Sequence, residues 1–231
     1  MAYTGIGPDA LLLLSRNKFE DSKEFYEAHK AQIKDLVLTP MAEIARALAG
    51  DFRALDSGIL LEPTRITSRI RRDTRFTKEK HLYRDNVWMC FMRPKAEHPV
   101  LQPLLWFEVQ PGEHHWSAGI AVWDQTPAYL RYLRERISSA PEEFLAAADC
   151  AIEAGGLLQA EAYKKDRAPD APEHLKPYFN AKNFCFMRKS EDMALLESEA
   201  IIDELRDLYA GLRPMYRWLL AAMEDFRMRN A

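Results

Sequence analysis

The sequence predicts an α+β fold, with a mostly antiparallel sheet of about five strands flanked by N-terminal, middle and C-terminal helices. Three observations carry this. Apolar residues recur at helical spacing up to Gly50 and again after Thr126. Between them, from Gly58 to Val122, the period falls to two and β-branched and aromatic residues gather. The Pro111-Gly112 pair joins two of these runs as an antiparallel hairpin would. No repeat, low-complexity tract or linker breaks the 231 residues, so one domain over 1–231 is expected, with a C-terminal helical pair, 194–228, as a candidate subdomain.

Pro8 and Asp9 open a short helix around Ala10 to Ser15. Asp21 or Ser22 caps a longer one carrying Phe25, Ile33, Val37, Met41, Ile44 and Leu48. Pro40 must kink or split that helix, and Gly50 is expected to close it. Strands are expected over Thr64–Arg71, Asn86–Met92, Leu104–Val109 and His115–Val122, with an exposed connection from Pro94 to Pro103. The second and third are apolar on both faces, as strands covered on both sides would be. Thr126-Pro127 opens a helix carrying Tyr129, Leu130, Leu133 and Ile137, and Ser139 with Pro141 opens the next, which Gly155-Gly156 ends. The stretch Asp166 to Pro177 reads as a loop before a last strand, Asn183–Arg188. Two final helices are expected, one stopping near Gly211 and one starting near Pro214.

Composition narrows the function classes. Hydrophobic residues at 48% and charged ones at 29% describe an ordinary soluble globule that needs no disulfide or metal to hold its core. Cys90, Cys150 and Cys185 sit among apolar neighbours without CxxC or Cys/His spacing, so buried free thiols in a reducing compartment are expected. The apolar run Leu11 to Leu14 is too short for a signal core or a membrane span, so a cytoplasmic protein without a membrane anchor is expected. No Walker sequence, GxSxG or HExxH is present, and Gly5-Ile6-Gly7 lacks the flanking elements of a dinucleotide loop. His114-His115 read as surface histidines rather than metal ligands, and Trp88, Trp106, Trp116 and Trp123 as core. Neither a metal nor a cofactor is called for, and no catalytic residue or oligomeric state is assigned.

The charge is unevenly placed. Residues 65–84, RITSRIRRDTRFTKEKHLYR, hold eight Arg or Lys and two acids, a net +6 in a chain of −3, so the remainder sums to −9. A basic block on an acidic body serves one anionic partner or a dense set of internal ion pairs. As a strand, Thr64–Arg71 would put Arg65, Thr67, Arg69 and Arg71 on one face and Ile66, Ser68 and Ile70 on the other. That arginine row should face carboxylates or an anion, because like charges two apart on a strand repel. Arg72, Asp73, Arg75 and Lys80 follow in a loop whose amides and hydroxyls suit an oxyanion, with Asp73 orienting an arginine. Glu108, inside an apolar strand, is a partner for the arginines or a general base.

The run Arg69-Ile70, Arg72-Asp73-Thr74-Arg75-Phe76, Lys78, Lys80 and Tyr83 resembles the signature RIYRDTRFSKDKSPYK of domain-of-unknown-function family 2461. Further similarity runs through Glu24-Phe25, Phe107-Glu108, Gly119, Arg131 to Phe144, Lys165, Lys182 to Phe184 and Leu212-Arg213-Pro214, over about residues 10–220. Arg71 stands where the family usually has an aromatic, and His81-Leu82 where it has a small residue and proline. The resemblance implies one soluble α+β domain with the basic segment as its hallmark, and it implies no activity.

The first reading is a cytoplasmic domain, enzymatic or not, that binds a small phosphate or carboxylate ligand. Its ligand-binding residues are Arg69, Arg72, Asp73, Arg75, Lys78, Lys80, Tyr83 and Glu108. A nucleic-acid binder, with Arg65, Arg71 and Arg84 extending a backbone track, is the second; the pI near 6.1 and the want of another basic cluster weigh against it. The third is an interaction module whose basic segment is a structural ion-pair network.

Overall fold

The computed structural model of the chain describes residues 3–75, 78, 80–94, 102–122 and 126–230. Helix α1 spans Pro8–Glu20, longer than the sequence suggests, and stops where Asp21 turns left-handed at φ 42° and returns its N–H to the Asn17 carbonyl. Ser22, not Asp21, then caps α2 (Lys23–Ile33), its hydroxyl accepting the Phe25 N–H at 3.1 Å. The break expected at Pro40 takes the form of a five-residue π-helix, Lys34–Leu38, before α3 (Thr39–Leu55). Proline lacks an N–H and crowds the carbonyl four residues back, and the wider winding, with the Thr39 N–H reaching the Lys34 carbonyl, accommodates both. Ile33, Val37, Met41, Ile44 and Leu48 are buried as their spacing predicts. Gly50 does not end α3. It is exposed with open space around it, so the helix runs on at only the modest cost of an interior glycine.

The strand expected at Thr64–Arg71 does not form. Pro63 fixes φ at the first position of a single helical turn, α4 (Pro63–Ile66), and the Glu62 carbonyl accepts from Arg65 and Ile66. The chain then runs extended, pairing through isolated antiparallel bridges, Thr67 with Met89 and Arg71 with Tyr83. Ile66 and Ile70 are buried as alternation requires, but Arg65 lies on the helical turn and leaves the predicted arginine row.

Strands β1 (Val87–Phe91), β2 (Pro103–Gln110) and β3 (His115–Val122) follow, the last two joined by a 3-10 turn at Pro111–Glu113 with His114 left-handed at φ 52°. Thr126 caps α5 (Pro127–Ser139) by accepting the Tyr129 N–H, and α6 (Pro141–Glu153) follows. Two elements escape the sequence: β4 (Leu157–Leu158) and α7 (Lys176–Asn180), a turn of helix inside the expected loop. Strand β5 (Cys185–Ser190) pairs antiparallel with β4, Leu157 opposite Met187, in a five-stranded antiparallel sheet of order β1-β2-β3-β5-β4. The fold is α+β. Five strands were expected and five are present, with β4 replacing the segment 64–71.

The expected C-terminal helical pair is one helix, α8 (Ala200–Arg229), with Pro214 inside it. Gly211 is not a stop signal: a Cβ there would collide with the Ala154 Cβ and lie 2.9 Å from the Cys150 carbonyl oxygen on α6, so the glycine marks close backbone approach.

The chain forms two compact units, each discontinuous in sequence. One comprises Met1–Phe91, Trp106–Ala118 and Lys189–Arg206, and Phe52 stacked on Phe91 at 4.1 Å lies in its core. The other comprises Met92–Leu105, Gly119–Arg188 and Asp207–Ala231, where Phe144 meets Tyr178, Phe184 and Trp218 edge-on. None of the three cysteines is in a disulfide among the described residues, but each is half-buried rather than buried. Burial of its surroundings raises the Cys185 thiol to about 11, an inert value. His115 is buried, against the surface position expected, because it begins a covered strand. Trp116 is core, whereas Trp88 and Trp106 are half-buried; Trp123 and the middle of the Pro94–Pro103 connection lie outside the described residues. Among the described residues no helix is long and apolar enough to cross a membrane, and no group of His, Cys, Asp or Glu is arranged to hold a metal.

Candidate functional site

Backbone hydrogen bonds in the first unit gather the basic segment into a cleft. The Arg72 N–H donates to the Leu82 carbonyl at 2.8 Å and the Arg84 N–H to the Ile70 carbonyl at 3.0 Å, which brings the two arms of the 72–82 loop together. Asp21, at the end of α1, fixes the returning arm: its Oδ1 accepts from the Leu82 and Tyr83 N–H groups at 2.7 and 3.1 Å. Across the loop, Lys80 Nζ donates to the Thr74 carbonyl at 3.2 Å.

The result is an open cleft of about 630 Å³ lined by Arg69, Arg71, Arg72, Asp73, Thr74, Arg75 and Arg84. Five guanidinium groups and one carboxylate make its wall +4. Among the described residues, neither Arg69 nor Arg71 makes a side-chain ion pair, and both are exposed. Arg84 lies over the Trp88 ring, 4.5 Å from its centroid. Such stacking suits a guanidinium.

Asp73 grips Arg75 through two parallel hydrogen bonds, Nε to Oδ1 at 2.9 Å and Nη2 to Oδ2 at 2.7 Å, and its Oδ1 also accepts the Arg75 N–H. These bonds hold the Asp73 carboxyl down to about 2 and raise the Arg75 guanidinium. The pair is exposed, at 53% of the Asp73 and 76% of the Arg75 side-chain surface, so it orients Arg75 and adds little to stability. Arg75→Ala should therefore leave the melting temperature almost unchanged and let Asp73 titrate close to its ordinary 3.8. A depressed carboxylate contributes stability that is present above its unfolded value and lost as pH falls through its folded one, so the variant gives up a small, solvent-screened contribution above 3.8 and converges on wild type as the pH falls to about 2. Carboxyl NMR titration with thermal melts checks this, and a large loss of stability at neutral pH would restore the structural-network reading.

Of the residues predicted to bind ligand, the cleft brings together Arg69, Arg72, Asp73 and Arg75. Lys78 and Lys80 are exposed beside it and do not line it. Tyr83 is buried, stacked on Tyr26 at 4.8 Å with burial raising its hydroxyl, so its part is to anchor the loop. Arg65 also lies off the wall. Conversely, Arg71, Thr74 and Arg84 are lining residues missing from the predicted set; net charge was the signal that marked Arg71 and Arg84.

Glu108, on β2, accepts a hydrogen bond from Asn86 Nδ2 at 2.6 Å and does not line the cleft. Burial raises its carboxyl above the ordinary 4.5, opposed by the Asn86 hydrogen bond and by the charges of His115 and Arg84. A raised carboxylate makes the folded state bind the extra proton, so this group's contribution falls as pH climbs from 4.5 through the folded value and is level beyond it. Glu108→Gln keeps an acceptor for Asn86 and should remove that fall, leaving the variant the more stable chain at neutral pH. Denaturant unfolding from pH 4 to 8 measures it; a variant less stable at pH 7 would mean that the ionised carboxylate has a stronger partner than Asn86.

A model of the family described as conserved hypothetical protein (DUF2461) matches residues 9–218. No curated protein and no solved structure matches. The match takes in both helices around the π segment, the sheet and every residue of the cleft wall, and the chain therefore belongs to the DUF2461 family.

Proposed function

We propose that the cleft binds a small anion, a phosphate or carboxylate ligand, through Arg69, Arg71, Arg72 and Arg75, with Asp73 orienting Arg75. The observation that carries this reading is the pair Arg69 and Arg71, exposed on a +4 wall and in no ion pair among the described residues: Asp73, the wall's one acid, is bonded to Arg75 and reaches Arg69 only through its field. A network built for stability would place acids opposite them. Guanidinium groups left to repel one another suit a bound oxyanion, which accepts bidentate hydrogen bonds from several at once. The free thiols and the inert Cys185 fit a reducing cytoplasm, where phosphorylated and carboxylated small molecules are plentiful.

Isothermal titration of the full chain with phosphate, pyrophosphate and citrate, beside single- and double-stranded oligonucleotides at two salt concentrations, tests the reading. Saturable binding of at least one small anion is expected. Oligonucleotide binding with a steep salt slope and no small-anion response would replace the proposal with a nucleic-acid track. Silence from every ligand would remove both.

A further inference from the structure

A second cleft, of about 620 Å³, adjoins the first, and Arg69 and Arg71 belong to the walls of both. Its character is different. Tyr26, Leu38, Ala42, Pro63 and Ile70 give it an apolar surface, and Lys34 and Arg46 stand exposed at its edge. Lys34 and Leu38 are the first and last residues of the π-helix, and Ala42 comes one turn later on α3. The winding forced ahead of Pro40 thus shapes one side of this cleft, while α4 and the extended segment shape the other. A π segment lining a cleft is a recurrent mark of a functional site.

Four cations, Lys34, Arg46, Arg69 and Arg71, around an apolar surface complement one kind of occupant. From the arginine cleft continuing into this apolar one we infer that the ligand is an amphipathic anion: a phosphate or carboxylate head held by Arg69, Arg71 and Arg72, and a short alkyl or acyl chain lying along Leu38, Ala42 and Pro63. A purely inorganic ion would use the first cleft and leave the second unfilled. A neutral lipid would fill the second and leave the cations unmatched. The inference rests on the anion reading above and deepens it by naming the ligand's other half.

The test is a chain-length series on the full protein, with inorganic phosphate, butyl phosphate and octyl phosphate titrated below their micellar concentrations and octanol as the headless control. Each methylene that the cleft buries should tighten binding about threefold to fourfold. Ala42→Phe, which fills the apolar cleft, should abolish the gain with chain length and preserve the affinity for inorganic phosphate. The wild-type series decides even if that variant folds poorly. Butyl and octyl phosphate binding within twofold of inorganic phosphate would overturn the inference and leave the anion reading standing. Octanol binding as tightly as octyl phosphate would overturn both, as would no binding at all.

Discussion

Alanine at both Arg69 and Arg71 is expected to weaken phosphate binding by about 100-fold or more at low ionic strength and to leave the melting temperature of the ligand-free protein unchanged or slightly higher. A hydrogen bond to a charged group contributes about 1.5–3 kcal/mol, and about 1.4 kcal/mol is a factor of ten in affinity, so losing two guanidinium partners accounts for the drop. Stability is spared because neither side chain has an ion-pair partner among the described residues, and removing two like charges from a +4 wall relieves repulsion. Calorimetric titration and thermal melting on one preparation read both halves. An affinity within threefold of wild type would exclude these arginines from the site, and a marked fall in melting temperature would show that they hold the fold instead.

Gly211→Leu is expected to destabilise the second unit by about 3 kcal/mol, near the upper end for overpacking. Helix propensity alone points the other way, since leucine in a helix interior is favoured over glycine by about 0.8–1 kcal/mol. Packing decides the sign. A Cβ at position 211 would collide with the Ala154 Cβ and sit 2.9 Å from the Cys150 carbonyl oxygen, and the second contact is backbone that cannot swing aside. Denaturant unfolding gives the loss directly. Ala154→Gly in the same chain removes the nearest atom and should recover part of it; a variant as stable as wild type would mean that α6 and α8 separate at little cost.

Burial periodicity made most of the helices readable. Ile33, Val37, Met41, Ile44 and Leu48 needed only their spacing, because an amphipathic face is a local pattern that burial then enforces. Hairpin β2–β3 was legible for the same reason, with Pro111-Gly112 marking its turn. The failures have local causes that act through distant partners. Gly211 and Pro214 look like punctuation in sequence, yet α8 passes through both, since the glycine answers to Cys150 on α6 and to Ala154 just beyond its end. Strand β4 is two residues long and exists only because β5 is beside it.

The basic segment divides the same way. Sequence by itself determined that six Arg and two Lys concentrate within residues 65–84 of an acidic chain, and that Ile66 and Ile70 face inward. Charge is additive along a chain and needs no fold to be counted. Only the tertiary structure decided which charges meet. Pro63 turned the predicted strand into a helical turn that carries Arg65 away, Asp21 drew Leu82 and Tyr83 back to α1, and Arg84 came round to the wall holding Arg69, Arg71 and Arg72. Each of those placements depends on a hydrogen bond between residues far apart in sequence or on the geometry of a proline ring, and neither leaves a periodic trace.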